Sequence, residues 1–273
     1  MCPHDVSPTK EKPMPQIIEK ITSRKNALIT QMSKLSERKQ RDEVGLFRID
    51  GKKLFSEAKS NGVRIEYVFA AREIIDSMGA RLDGCGQVYE VTPDVLFKLT
   101  DEKSPEGIVT VAKKLPPRPE PSLLGNFRAL LLSSIRDPGN VGTIIRSARA
   151  LGVDRIYLGP DCADVYSPKT LRATMGMLFS QPFEIVGDEL ALISRLRGSG
   201  CAVYAAALGR DAMRLGSFKL PRSTCFVVGN EGHGLSGELI SACDGCVIIP
   251  MAEGCESLNA AAAATILAWE SRR

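Results

Sequence analysis

The chain of 273 residues has two His and one Trp. The two histidines, His4 and His233, stand far from the single Cys-x-x-Cys pair, Cys243-Asp-Gly-Cys246. A second such pair is missing, so no four-ligand metal set can be assembled and no metal is expected. No apolar run approaches the roughly 18–20 residues of a membrane span, so no membrane partner is expected. The first twenty residues, MCPHDVSPTKEKPMPQIIEK, lack the apolar stretch of a secretory signal. They carry acidic residues and no Arg, unlike a mitochondrial transit peptide, and the expected location is the cytoplasm. The eight cysteines need no disulfides there. Cys162, Cys201 and Cys225 lie in or beside apolar runs and read as buried thiols. G-x-x-x-x-G-K-[ST] occurs nowhere, which argues against a P-loop, and Gly229, Gly232 and Gly234 are spaced G-x-x-G-x-G rather than as a dinucleotide fingerprint, which argues against a nucleotide-cofactor dehydrogenase. No internal repeat is visible.

What is present is an ordinary globular composition, 44% hydrophobic and 25% charged, in a length that suits about two domains. The net charge of +4 is unevenly spread. Residues 1–43 hold 9 basic against 6 acidic side chains, and residues 44–115 hold 11 of each. Residues 128–273 hold 15 against 14, and 13 of those 15 are Arg, whose planar fork grips phosphate oxygens in pairs. Four parts follow: a tail and basic helix over 1–43, a compact α/β pattern over 44–115, a Pro-rich linker over 116–127, and a second α/β pattern over 128–273. The periodicity of Ile17, Ile18, Ile21, Leu28, Met32 and Leu35 predicts a helix from Gln16 to about Lys39. Beyond the linker, apolar strands alternate with helices, the signature of a parallel sheet covered on both faces.

Ligands of open α/β sheets bind beyond the carboxyl ends of strands, and three strands here end unusually. After ALLLSSI come Arg136-Asp137-Pro138-Gly139-Asn140 and a helix, VGTIIRSARALG. Asn140 suits the N-cap, Ile144, Ile145, Ala148 and Leu151 form the apolar stripe, and Arg146 and Arg149 lie off it. Helical side chains lean toward the N-terminus, so Arg146 can reach back to a turn whose free N–H groups already favour an anion. The strand CFVV enters Gly229-Asn230-Glu231-Gly232-His233-Gly234, where three glycines allow close approach of backbone or ligand and Glu231 is a lone carboxylate; His233 reads as a bystander. The third strand, CVIIP, stops at Pro250; Ser257 can cap the helix that follows, which opens Leu258-Asn259 and continues with five Ala.

These motifs in this order resemble the SpoU/TrmH family of the SPOUT superfamily of RNA methyltransferases. The matching residues are Asn140-x-Gly142 with Arg146, then Gly229-Asn230-Glu231-Gly232, then Ile249-Pro250-Met251 and Ser257-Leu258-Asn259. Residues 44–115, with Ser104-Pro105-Glu106-Gly107-Ile108 near their end, resemble the small RNA substrate-binding domain found in many members. Asp50-Gly51 stands where Glu-Gly is common, and Ala260 and Ala261 replace a frequent Val-Ser. The resemblance implies a SPOUT domain with a deep trefoil knot, although topology rules alone disfavour knots. It also implies S-adenosylmethionine bound by backbone groups at Gly229, Ile249 and Leu258 beside Met251, and a homodimer that completes the site. The implied reaction is ribose 2′-O-methylation of rRNA or tRNA. Arg146 is the implied catalytic residue, as base or as electrostatic stabiliser, with Asn140, Glu231, Ser257 and Asn259 orienting it and the ribose. A guanidinium holds its proton far above neutral pH and is a poor base, so stabilising the developing alkoxide is at least as plausible. The alternative, a non-catalytic RNA-binding protein of the same fold, predicts erosion of this polar set, and the set is intact. Which RNA and which nucleotide are modified, and whether a further protein takes part, stay open.

Overall fold

The computed structural model describes residues 17–119, 125–209, 211–230, 232–255 and 257–273. The chain divides into two compact units, with the boundary near Lys113/Lys114 and the short segment Ser56–Gly62 grouped with the second.

In the first unit, strands β1 (Ile17–Ile21), β2 (Leu46–Asp50), β3 (Ile65–Ala70), β4 (Gln87–Val91) and β5 (Ile108–Lys113) form one sheet in the order β1-β4-β3-β5-β2. β1, β4 and β3 run parallel, and β5 is antiparallel to β3 and β2. The helices are α1 (Ala27–Ser33), α2 (Arg38–Val44), the first half of α3 (Lys52–Ser60), α4 (Arg72–Met78) and α5 (Pro93–Leu99). The expected single helix over 16–39 is therefore corrected to a strand, α1 and a 3-10 turn at Lys34–Ser36. Asn26 is the reason, because its side chain accepts from the amides of Leu28 and Ile29 and starts a new helix there. Ile21 and Ile29 then reach the same core as Phe69 and Leu99. The Ser104–Ile108 segment is structural: Glu106 Oε2 accepts from the Lys52 amide at the start of α3 (2.9 Å), and Gly107 takes φ +79°.

In the second unit, β6 (Phe127–Leu132), β7 (Arg155–Leu158), β8 (Phe183–Ile185), β9 (Ala202–Ala206), β10 (Met213–Arg214), β11 (Ser223–Val228) and β12 (Gly245–Ile248) form a seven-stranded sheet in the order β10-β12-β9-β11-β6-β7-β8. Every pairing in it is parallel. β6 and β11 sit at its centre and are apolar along almost their whole length, as strands buried on both faces must be. Helices α6 (Pro138–Ala150), α7 (Pro168–Thr174), α8 (Glu189–Gly198), α9 (Gly237–Ala242) and α10 (Ala260–Glu270) cover the sheet. The buried cysteines 162, 201 and 225 are packed into it, and desolvation pushes the Cys201 thiol up to about 12. Gly142 sets the distance between α6 and α7. A Cβ there would lie 2.4 Å from that of Ala173 and 2.7 Å from the Thr170 carbonyl oxygen.

Candidate functional site: three strand ends

The loop after β6 is held from both sides. The Ser133 amide donates to the Val228 carbonyl (2.9 Å) and the Ala163 amide to the Ile135 carbonyl (2.9 Å). The Ser133 hydroxyl donates to Glu189 Oε2 (2.9 Å). Burial raises the Glu189 carboxyl above its ordinary range, and the serine bond counteracts this. Ser134 adopts φ +55°, a conformation disfavoured for a side-chain residue, and Asn230 Nδ2 donates to its carbonyl (3.0 Å). The second strand end is thus tied to the first.

Asp137, not Asn140, caps α6. Its Oδ1 accepts from the Asn140 amide (2.9 Å), and that bond holds the Asp137 carboxyl below its ordinary range. Pro138 supplies the physical reason: it has no amide to lose and is favoured in the first helical position, which places the cap one residue earlier. Asn140 turns to the third strand end instead, and its Oδ1 accepts from Asn259 Nδ2 (3.1 Å). Asn259 also caps α10, accepting from the amides of Ala261 (3.0 Å) and Ala262 (3.3 Å). Ser257, the expected cap, lies before this turn and is exposed; Asn259 directly precedes the alanine run and takes the cap.

On α6, Val141, Gly142, Ile144, Ile145 and Ala148 are buried. Leu151, expected in the stripe, is only half-buried because it is the C-cap. Arg146 is exposed and makes no hydrogen bond or ion pair with the described residues. Arg149 is engaged, its Nε donating to Ser180 Oγ (3.0 Å). One turn of helix thus carries one guanidinium bonded to a described residue and one that is not.

A cavity of about 390 Å³ opens at the carboxyl ends of β9, β11 and β12. Gly229, Ile249, Met251, Ser257 and Leu258 line it, with Asn230 and His233. None of the described lining residues is Asp, Glu, Lys or Arg. Its wall at Gly229 is bare backbone folded on itself: a Cβ there would lie 2.6 Å from the Gly234 carbonyl carbon and oxygen. The Gly234 amide returns to the Asn230 carbonyl (2.9 Å). Size, apolar lining and a few convergent polar groups suit a nucleoside-sized ligand. The structure brings together Asn140, Asn259, Gly229, Ile249, Met251, Ser257 and Leu258, while Glu231 lies outside the described residues. The sequence did not point to the end of β9, where Ala206, Ala207 and Leu208 complete the wall, because small apolar side chains after a strand carry no chemical signature. His233, set aside above, lines the cavity too; its place in a glycine-rich strand end was the signal available.

The model of the SpoU rRNA Methylase family matches residues 128–269, and that of the MRM3-like substrate binding domain matches residues 26–110. The chain is 34% identical to the 23S rRNA (guanosine(2553)-2′-O)-methyltransferase of Bacillus subtilis, over 93% of this chain and 100% of that protein. It is 29% identical to the 23S rRNA (uridine(2479)-2′-O)-methyltransferase of Streptomyces viridochromogenes, over 93% and 92%. Among solved structures, the AdoMet-bound rRNA methyltransferase of Sinorhizobium meliloti is similar at a TM-score of 0.81 and 30% identity, over 93% of this chain and 97% of that one. The SpoU methyltransferase AviRb of Streptomyces viridochromogenes, in complex with AdoMet, gives 0.80 and 28%, over 90% and 97%.

Proposed function

The chain belongs to the SpoU rRNA methylase family, and on that premise we propose that it is an S-adenosylmethionine-dependent RNA methyltransferase acting on a ribose 2′-hydroxyl of ribosomal RNA. One observation carries the reading. The Asn140–Asn259 hydrogen bond ties the helix that bears Arg146 to the rim of the cavity where Ser257 and Leu258 stand. A cavity with no charged side chain among its described lining residues and a cation with no partner among the described residues are thereby parts of one construction.

The residues present fit the cofactor. The close turn at Gly229 and the aliphatic wall at Ile249 and Leu258 would hold its adenosine part, with Met251 at the side. When bound, the cofactor supplies an electrophilic methyl on a sulfonium. The protein's own task is to bring the ribose oxygen in line, exclude water and steady the charge that grows on that oxygen as its proton leaves. In this reading Arg146 holds an RNA phosphate and steadies the developing alkoxide; fixed donors aimed at such charge are the largest single source of catalysis in many enzymes. Asn140 and Asn259 keep the two helix starts in register, and Ser257 and Glu231 orient the ribose. The intact polar set favours an enzyme over an RNA-binding protein that has lost its chemistry.

The same reading includes a knot: α10 returns after β12 to pack on α6 and β6, where the second unit began, and the segment between them would thread the loop. It includes a division of labour, with residues 44–115 gripping RNA and residues 128–273 performing the chemistry, and a place in the cytoplasm. It also includes a homodimer. Ile266 is 37% exposed and Trp269 57% exposed on α10, and a second copy would cover them. Light scattering checks this, with the Ile266→Asp/Trp269→Glu variant expected to be monomeric where the wild type is dimeric. The activity is tested by incubating ribosomal RNA, prepared from cells lacking the gene, with protein and methyl-labelled S-adenosylmethionine. Label should appear as a 2′-O-methylnucleoside. Label on a base, or none, would defeat the reading.

A further inference from the structure

The second unit has another cavity, of about 640 Å³, at the amino ends of β6 and β11. Its described lining carries Arg128, Lys219, Arg222, Arg272 and Arg273 against one acidic side chain, Glu270. Arg273 Nη1 already engages that carboxylate (3.1 Å). Lys219, Arg222 and Arg272 are exposed, with no ion pair or side-chain hydrogen bond among the described residues. Uncompensated like charge in a concave wall repels itself and concentrates anions.

The cations come from three chain segments that are fixed to one another. Arg128 Nε donates to the Ser271 carbonyl (2.9 Å), joining β6 to the end of α10. The Phe127 amide donates to the Arg222 carbonyl (3.2 Å), and the Ser223 hydroxyl to the Gly125 carbonyl (2.7 Å). Thr224 Oγ1 closes the turn on the Pro221 carbonyl (2.8 Å). Phe218, edge-on to Tyr204 with centroids 6.0 Å apart, anchors the segment that presents Lys219. A cation at the C-terminus of a helix also complements the helix dipole. That accounts for Arg272 and Arg273 but not for Lys219 and Arg222, which stand on a loop.

We propose that this cavity is a second RNA contact, which binds consecutive phosphates of the substrate's sugar-phosphate backbone at the end of the sheet opposite the cofactor cavity. The proposal rests on RNA being the substrate. Its occupant is a phosphodiester chain and not a lone anion, because the three cations without a partner among the described residues stand on two chain segments, Lys219 and Arg222 on one loop and Arg272 beyond α10, and line a cavity of about 640 Å³. Such contacts position the nucleic acid and read no sequence.

The test uses the full chain and a single-stranded RNA oligonucleotide, without cofactor, over a range of salt. The triple variant Lys219→Gln/Arg222→Gln/Arg272→Gln should bind at least tenfold more weakly near ~0.1 M salt, and its log–log salt slope should be shallower by about 2, given ~0.7 per phosphate on single strands. The charge-preserving variant Lys219→Arg/Arg222→Lys/Arg272→Lys should keep the wild-type slope. S-adenosylmethionine affinity, read by calorimetry, should be the same in all three proteins. An unchanged slope in the triple variant overturns the proposal. So does a parallel fall in cofactor affinity, which would report a damaged fold. Inorganic phosphate binding that the triple variant loses while its RNA slope is unchanged assigns the cavity to a small anion and also overturns it. If the wild type transfers no methyl group, the enzymatic reading fails by itself, and the salt slope still decides this cavity.

Discussion

The two ends of the seven-stranded sheet are opposites. At the carboxyl end, the described residues around the cavity include no formally charged side chain, and the wall is backbone and aliphatic carbon. At the amino end, five cationic side chains face one acidic side chain among the described residues. The carboxyl end discriminates by shape: a Cβ at Gly229 has no room, so what enters must match a fixed contour. The amino end discriminates by charge, at longer range and with screening by salt. The difference teaches that fold position sets where a ligand sits, while local chemistry sets whether one molecule or any polyanion is accepted. Arg146 stands on the helix that is tied to the first end through Asn140 and Asn259, yet it is a cation. It is the place where the two kinds of recognition would meet.

Substitutions at three positions sharpen that contrast. The largest effect is expected from Arg146→Ala. Single-turnover methyl transfer at saturating protein and cofactor should fall by about 10²–10³, the loss typical of one preorganised stabiliser, with cofactor affinity unchanged because the residue lies off the buried face of α6. Arg146→Lys should rescue poorly, since an ammonium lacks the planar fork. Retention of more than about a tenth of the wild-type rate would place Arg146 with the amino-end cations, as a phosphate holder without a part in the chemistry. Next is Gly229→Ala, which forces a methyl against the Gly234 carbonyl. Overpacking of this kind costs about 1–3 kcal/mol of stability, so the melting temperature should fall, and calorimetry should show weaker cofactor binding because the displaced turn lines the cavity. Unweakened binding would mean that the cofactor does not rest on this turn. Smaller again is Asn259→Ala. It removes the cap of α10, worth about 1 kcal/mol, and the bond to Asn140. The melting temperature should drop by about 2–4 °C, and turnover should fall by more than that stability loss explains. A purely thermal effect would reduce Asn259 to a cap.

Much of this was legible in the sequence because it follows from local chemistry. Apolar runs located β6, β9, β11 and β12, and the glycines and Asn at their ends marked three loops that do converge. The caps were misplaced by two or three residues, since Ser, Asp and Asn are chemically equivalent caps and only backbone geometry chooses among them. That geometry selected Asp137 before Pro138, and Asn259 before the alanines. The edge strands β8 and β10, of three and two residues, are too short to show a period. β1 was read as helix because Ile17, Ile18 and Ile21 satisfy helical spacing; its pairing with β4, some seventy residues away, is tertiary information. The amino-end cavity was illegible for the same reason. Arg128, Lys219, Arg222 and Arg272 share no motif, and only the parallel pairing of β6 with β11 and the return of α10 bring them together.

The smallest expected effect belongs to Arg149→Ala, and it makes the comparison strict. Arg149 stands three residues from Arg146 on the same exposed side of α6, so general electrostatics would treat the two alike. Their local chemistry differs: Arg149 Nε is bonded to Ser180 Oγ at 3.0 Å, whereas Arg146 has no partner among the described residues. A surface contact of this kind contributes within about ±0.5 kcal/mol. Arg149→Ala should therefore leave stability almost unchanged, leave methyl transfer within about twofold of wild type, and flatten the salt dependence of RNA binding by less than one phosphate contact. The decisive measurement is the single-turnover rate of Arg149→Ala beside that of Arg146→Ala, on one RNA preparation at one salt concentration. If both rates fall together, the helix acts as a basic surface and Arg146 has no special place in it. If only Arg146→Ala falls, what distinguishes the two residues is that Arg146, unlike Arg149, has no partner among the described residues, which leaves its guanidinium to act on the reacting oxygen.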